Sequence, residues 1–213
     1  MLKTALASAS LALCGYVCAA WLTHDFQVWT AEGARRIEVA LHPVATPAVN
    51  VDGPGLQSQP LTQLLADGRS VTVVDFVYTR CQTVCLALGS TFQQMQAALQ
   101  QARKGDSAAA RVKLLSISFD GRHDTPQALA HYAARMNADT TVWRFVRVPN
   151  ANDTAGLLTD FQVVVVDSGQ GDFEHNAALL VVDQRGRLVR IFDTAEQQLA
   201  LDYARYLAGN GSP

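Results

Sequence analysis

The segment from Val71 to Leu88, VTVVDFVYTRCQTVCLAL, most narrowly limits how this chain can fold. Val71, Val73, Val74, Phe76 and Val77 form an apolar, β-branched run with little alternation, the pattern of a strand buried on both faces. The run ends at a polar corner, Thr79-Arg80. Cys81 and Cys85 follow, and then a helical pattern begins. A buried strand that delivers a Cys-x-x-x-Cys to the start of a helix implies a layered α/β architecture with thiol chemistry at the strand's end.

The elements that follow support that layering. Leu86, Phe92, Met95 and Leu99 recur at helical spacing after the cysteines. Arg111–Phe119, RVKLLSISF, reads as a second buried strand. A helix follows it, capped by Asp124 or Thr125, with Pro126 in its first turn. The pattern then predicts a short strand at Trp143–Val148, a short helix at Asp153–Leu158 and a strand at Phe161–Asp167. Ser168–Asn176 reads as a polar loop. Ala178–Asp183 and Leu188–Phe192 read as strands joined by a hairpin turn at Gln184-Arg185-Gly186. A last helix is predicted at Thr194–Leu207, capped by Asp193 or Thr194. This order is that of a thioredoxin-like α/β sandwich around a central mixed sheet, with an insertion before the final hairpin.

Residues 4–23 carry no charge, Lys3 precedes them, and Asp25 follows closely. Twenty uncharged residues span about 30 Å as a helix, enough to cross a bilayer. A cleaved secretory signal is the competing reading, but Val17-Cys18-Ala19-Ala20 is a poor cleavage site and Trp21-Leu22 prolong the apolar run. We therefore expect an anchor or signal over 1–23, a juxtamembrane linker over 24–47 rich in Pro and Gly towards its end, and a thioredoxin-like domain over 48–213. The lone Lys3 favours a cytoplasmic N-terminus, a single pass through the inner membrane and a periplasmic domain. Cys14 and Cys18 then read as small apolar fillers of a membrane helix. Lys and Arg total 17 against 19 Asp and Glu, so charge gives no case for nucleic acid.

Two cysteines four residues apart at a helix start present both sulfurs on one face if the helix begins at or before Cys81. Unpaired N–H groups there favour thiolate, and Arg80 adds a cation nearby. Such a pair can exchange a disulfide, hold a soft metal with Cu(I) the first choice, or simply pack as structural cysteines. Zinc would want about four ligands, and the domain has no second cysteine pair. A copper site would need a third ligand. His24 and His42 precede the domain, His131 falls mid-helix, and His123 sits by a helix cap. His175 ends the loop before the strand at Ala178, and in this topology that loop lies beside the cysteine-bearing turn.

At this point three segments are recognisable. FVYTRCQTVC resembles the [FY]-x-Y-T-x-C-P-x-x-C motif of the SCO/SenC family of copper-binding assembly proteins. SISFDGRHDTPQALAHYA resembles the family's S-x-D-P-x-x-D-T-P segment and the helix behind it, and FEHNAALLVVDQRGRLVRIF resembles its histidine-bearing hairpin. The match covers about residues 60–205 in the right order. It implies a membrane-anchored thioredoxin-like domain that holds copper, Cu(I) and/or Cu(II), through two Cys and one His. Carried over by position, these are Cys81, Cys85 and His175. It also implies partners: the copper-centre subunit of a haem-copper oxidase, whose assembly the protein would assist, or another copper chaperone. An alternative role is a thiol–disulfide oxidoreductase that keeps the oxidase's copper-site cysteines reduced, with Cys81 and Cys85 as the redox pair. The chain departs from the family pattern at Gln82 and Leu86, at Gly121 in place of proline, and at Asn176 in place of serine.

Overall fold

The computed structural model describes residues 2–210 apart from 24, 27, 82, 83, 170 and 171, and omits the side chains of 2 and 84–87. In chain order the helices are α1 (Leu2–Leu22), α2 (Ala31–Leu41), α3 (Thr62–Leu65), α4 (Val84–Ala102), α5 (Ser107–Ala110), α6 (Pro126–Arg135), α7 (Ala151–Asp160) and α8 (Gln197–Asn210). The strands are β1 (Val44–Ala45), β2 (Asn50–Gly53), β3 (Leu56–Pro60), β4 (Val71–Val77), β5 (Val112–Ser118), β6 (Trp143–Arg147), β7 (Val165–Gly169), β8 (Asp172–His175), β9 (Leu179–Val182) and β10 (Arg187–Phe192). Eight of them form one mixed sheet in the order β1-β10-β9-β4-β5-β6-β2-β3, the thioredoxin-like arrangement expected. β4, β5 and β6 are parallel, and β9 returns antiparallel against β4.

Every residue of β4 is buried. Val71 and Val73 face a cluster completed by Leu88, Phe92, Met95 and Leu99 of α4, Leu129 and Tyr132 of α6, and Ala204 and Leu207 of α8. Val74 and Phe76 face the opposite cluster with Leu157 of α7, Phe161 and Val39 of α2. This double burial is why the strand reads as a continuous apolar run. The β9–β10 turn lies where the sequence puts it. Asp183 accepts from the Arg185 and Arg187 amides, and Gly186 takes φ +74 against Ala66, where a Cβ would collide.

Three segments differ from the sequence reading. Residues 31–45, read as linker, form α2 and β1: Val39 is fully buried, Val44 pairs with Leu188, and Arg36 reaches Asp193 and Glu196 at 3.3 Å each. An amphipathic helix docks when a neighbour offers apolar surface, and the outer face of β10 does so. In the predicted strand at Phe161–Asp167, Phe161 and Val163 plug the core instead, and the strand begins at Val165. The predicted polar loop contains β8, which pairs with β7 as a separate two-stranded arm. Its exposed acidic positions hide the alternation from a reading by polarity.

Asp75 stands in the middle of β4, 1 % exposed. Burial pushes its carboxyl up to about 7, and Ser116, its register partner on β5, offsets only part of that cost. The folded protein therefore holds this proton over a pH range where the unfolded chain has lost it. Stability should fall as pH rises from about 4 to about 7, by on the order of 4 kcal/mol from this group alone. Asp75→Asn should flatten that part of the profile, read by thermal unfolding of the detergent-solubilised chain between pH 4 and 8. An unchanged slope would assign the pH dependence elsewhere.

Candidate metal and thiol site

The site lies where β4 and β5 end. After Val77 the chain turns through Tyr78, with the Cys81 amide donating to the Tyr78 carbonyl at 3.3 Å. Cys81 is buried with Val77 and Tyr78, and Phe119 and Phe173 pack against this small cluster. Phe119 extends β5, and Phe173 comes from β8. The rings of Tyr78, Phe119 and Phe173 meet with centroids 5.2–5.5 Å apart, partly edge to face. The Tyr78 hydroxyl also accepts from the Phe173 amide at 3.2 Å. His175 closes the arrangement, its imidazole standing edge-on to Phe119 at 5.5 Å. Cys81 and His175, far apart in sequence, thus share one aromatic wall. Burial lowers the His175 pKa, which favours the neutral imidazole at pH 7.

Cys85 falls in the first turn of α4, and its side chain lies outside the described residues. The described part of α4 begins at Val84, and whether both sulfurs share one helical face lies outside the described residues. The departure at Gln82 lies outside the described residues, as does His24. His42 is exposed at the end of α2, and His131 is exposed on α6. Cys14 and Cys18 are exposed on α1. Among the described residues, which leave out the Cys85 side chain, no three His, Cys, Asp or Glu side chains gather as a metal site.

A second layer pins the turn that carries Cys81. Of the two cap candidates, Thr125 is the cap, its hydroxyl accepting from the Ala128 amide, and Asp124 has another role. Its fully buried carboxylate instead accepts from the Thr79 amide at 2.9 Å, the Thr79 hydroxyl at 2.5 Å and the Ser118 hydroxyl at 2.5 Å. Arg80 does not stand as a lone cation beside the thiol: its guanidinium donates to Asp120 at 2.7 Å, and His123 Nδ1 lies 2.8 Å from the same carboxylate. Burial alone would raise the Asp120 pKa, but His123 and Arg80 outweigh it and hold the group below the usual carboxylate range. Gly121 has a steric reason: a Cβ there would run into the Val148 carbonyl, while its own carbonyl accepts from Arg147 at 2.8 Å. The sequence reading missed the aromatic wall and the Arg80–Asp120–His123 group. Aromatics at 78, 119 and 173 were visible, but nothing in their spacing joined them.

Comparison with known proteins covers most of the folded domain. The family model described as SCO1/SenC matches residues 56–207. A curated relative, the SCO1 protein homolog of Bacillus subtilis (strain 168), is 23% identical over 149 residues, covering 65% of this chain and 74% of the relative. The solved structure of BsSco, described as a member of the Sco family of cytochrome c oxidase assembly proteins with a disulfide switch, superposes with a TM-score of 0.66 at 17% identity, covering 79% of this chain and 96% of that one. Bradyrhizobium japonicum ScoI with copper bound superposes with a TM-score of 0.60 at 20% identity, covering 76% and 98%.

Removing the Asp124 carboxylate should therefore loosen the Cys81 turn before it disturbs the rest of the fold. Asp124→Ala leaves three donors unanswered and should cost about 3 kcal/mol. Thermal unfolding measures this, and faster modification of Cys81 by a thiol reagent, read by peptide mapping under native conditions, reports the local loosening. A variant with wild-type stability and wild-type Cys81 reactivity would remove Asp124 from this role.

Proposed function

The chain belongs to the SCO1/SenC family, and on that footing we propose that it is a copper chaperone holding its cargo through Cys81, Cys85 and His175. The observation that carries the reading is the meeting of Cys81 and His175 on the Phe119–Phe173 wall, with the Cys85 position one turn of chain away at the start of α4. Copper is the cargo here. Thiolates suit Cu(I), and a neutral imidazole lets Cu(II) be accommodated. The aromatic wall keeps bulk water from one side of the cargo. Release follows from exchange of the thiolates for a target's own ligands, and α4 lends its N-terminal N–H groups to the thiolate form. By analogy with relatives described as oxidase assembly proteins, the receiving site is the copper centre of a cytochrome c oxidase. α1 is long and apolar enough to cross a membrane, and none of it is buried against the rest of the protein. It would anchor the domain on the exported side of the inner membrane.

A second reading keeps the same residues. Cys81 and Cys85 exchange a disulfide with a target's cysteines, and a relative described as having a disulfide switch favours keeping this reading in view. The two differ in what is trapped. Cys85→Ser should accumulate a mixed disulfide with a target only if exchange is the function.

Copper titration of the reduced chain, followed by absorption and paramagnetic resonance, tests the ligand set. We expect one copper per chain. His175→Ala should weaken Cu(II) binding by about 100-fold or more while Cu(I) retains its thiolates, and Cys81→Ser should weaken both. Because burial lowers the His175 pKa, its contribution should persist to lower pH than an ordinary histidine's would. Unaltered Cu(II) binding in His175→Ala would overturn the assignment.

A further inference from the structure

The direction of the strands gives the domain two poles. β4, β5 and β6 are parallel, and β10 runs the same way because it is antiparallel to β9, itself antiparallel to β4. The C-terminal ends of all four strands mark one pole, and Cys81, Phe119 and His175 lie there. α2 lies along β10 in the opposite sense. Its C-terminus leads into β1, which pairs with the start of β10 through Val44 and Leu188. Its N-terminal half reaches the other end, where Arg36 pairs with Asp193 and Glu196 just past Phe192. The chain coming from α1 therefore enters the folded domain at the pole that holds the site.

That entry is fastened to the site itself. Arg35 Nη1 donates to the Gln162 carbonyl at 2.8 Å, and Glu32 holds the same guanidinium at 2.6 Å. The Asn176 side-chain amide donates to the Gln162 carbonyl at 3.4 Å, and Asn176 Oδ1 accepts from the Val164 amide at 2.8 Å. Asn176 is the residue after His175. The connection between α1 and α2 is short and folded back: the Phe26 amide donates to the Thr23 hydroxyl at 3.0 Å, and the Val28 amide donates to the Thr23 carbonyl at 3.0 Å. Apolar surface is exposed near this entry. Trp29 is 74% and Val164 61% exposed, and Trp29 packs on Phe26 with ring centroids 6.0 Å apart. Asp167, Asp172 and Glu174 occupy exposed positions on the β7–β8 arm, which keeps that arm in water and argues against an anionic lipid surface.

We propose that the domain is held with its Cys81–His175 pole towards the bilayer, Trp29 and Val164 resting at the lipid–water interface of a zwitterionic membrane and α2 acting as the strut. The membrane reading of α1 is the part of the proposed function on which this rests; the copper reading is not needed for it. The consequence is that cargo or disulfide exchange takes place close to the membrane plane, with a partner whose receiving site lies at that level. The opposite pole, marked by the exposed Leu41 at the end of α2, stands about 16 Å further out, one length of α2.

The test uses the full chain in phosphatidylcholine vesicles with brominated acyl chains, which quench nearby tryptophan. Trp21→Tyr with Trp29→Tyr keeps interfacial aromatics and leaves the buried Trp143 as baseline. Adding Val164→Trp should give emission quenched about twofold relative to unbrominated vesicles, whereas Leu41→Trp should give none beyond the baseline. Arg35→Ala with Arg36→Ala should shrink the difference between the two reporters. Equal quenching at both positions, stronger quenching at Leu41→Trp, or none at Val164→Trp in protein that floats with the vesicles would overturn the orientation while leaving the anchor standing. Protein that fails to float would remove the anchor and the proposal together.

Discussion

β4 is buried on both faces from Val71 to Val77, and the positions of the functional groups follow from that constraint. A strand with no exposed residue needs a complete layer of helices on each side, and the two hydrophobic clusters supply them. Its backbone must also be paired on both edges, which β5 and β9 do. Once these layers close, the chain can leave the sheet only at the strand's end. There the Asp124 carboxylate ties Thr79, two residues past β4, to Ser118, the last residue of β5. Cys81 is thus delivered by a strand buried on both faces, Phe119 packs beside it from the end of β5, and His175 stands against Phe119 from the end of β8. Precision at the site is inherited from the core, not built by the loop.

Within this core Asp75 runs against the packing. Its neighbours along the same strand face are Val71 and Val73, and Ser116 beside it receives the Trp143 indole N–H at 2.9 Å. An apolar residue of similar size would avoid the cost of burying a carboxyl. The fold carries the penalty two residues before the strand ends, and no packing requirement in the surrounding cluster explains it. Sites where local rules are broken tend to be sites of function or strain, and Asp75 lies on the strand that leads to Cys81.

Much of this was legible in the sequence because it rests on local patterns. The apolar run of β4, the helical spacing of Phe92, Met95 and Leu99, and the Gln184-Arg185-Gly186 turn each carry their own signal within a few residues. His175, singled out by its place before the strand at Ala178, stands against Phe119. What stayed hidden depends on contacts between distant segments. Asp124 sits where a helix cap is expected, and only the neighbouring strand end shows why its carboxylate turns towards Thr79 instead. Arg80 reads as a bare cation until Asp120 appears beside it. α2 has an ordinary amphipathic pattern that the prolines and glycines after it obscured, and its docking is decided by the surface of β10.

The charge balance of the site bears on which copper state the proposed chaperone favours. Arg80 is neutralised by Asp120, and His175 is kept uncharged by burial. Two thiolates with Cu(I) therefore leave a net charge of about −1 against an aromatic wall, and with Cu(II) about zero, counting formal charges alone. Low polarity favours the neutral complex, whereas soft sulfur favours Cu(I). The two effects oppose each other, so the balance passes to whatever compensates a residual negative charge. In the proposed site the N-terminal end of α4, which carries Cys85, would be placed to do this. A site of the proposed composition would hold both oxidation states within reach of one another. A carrier that must take up and give away the same ion needs that property more than it needs a single very tight state.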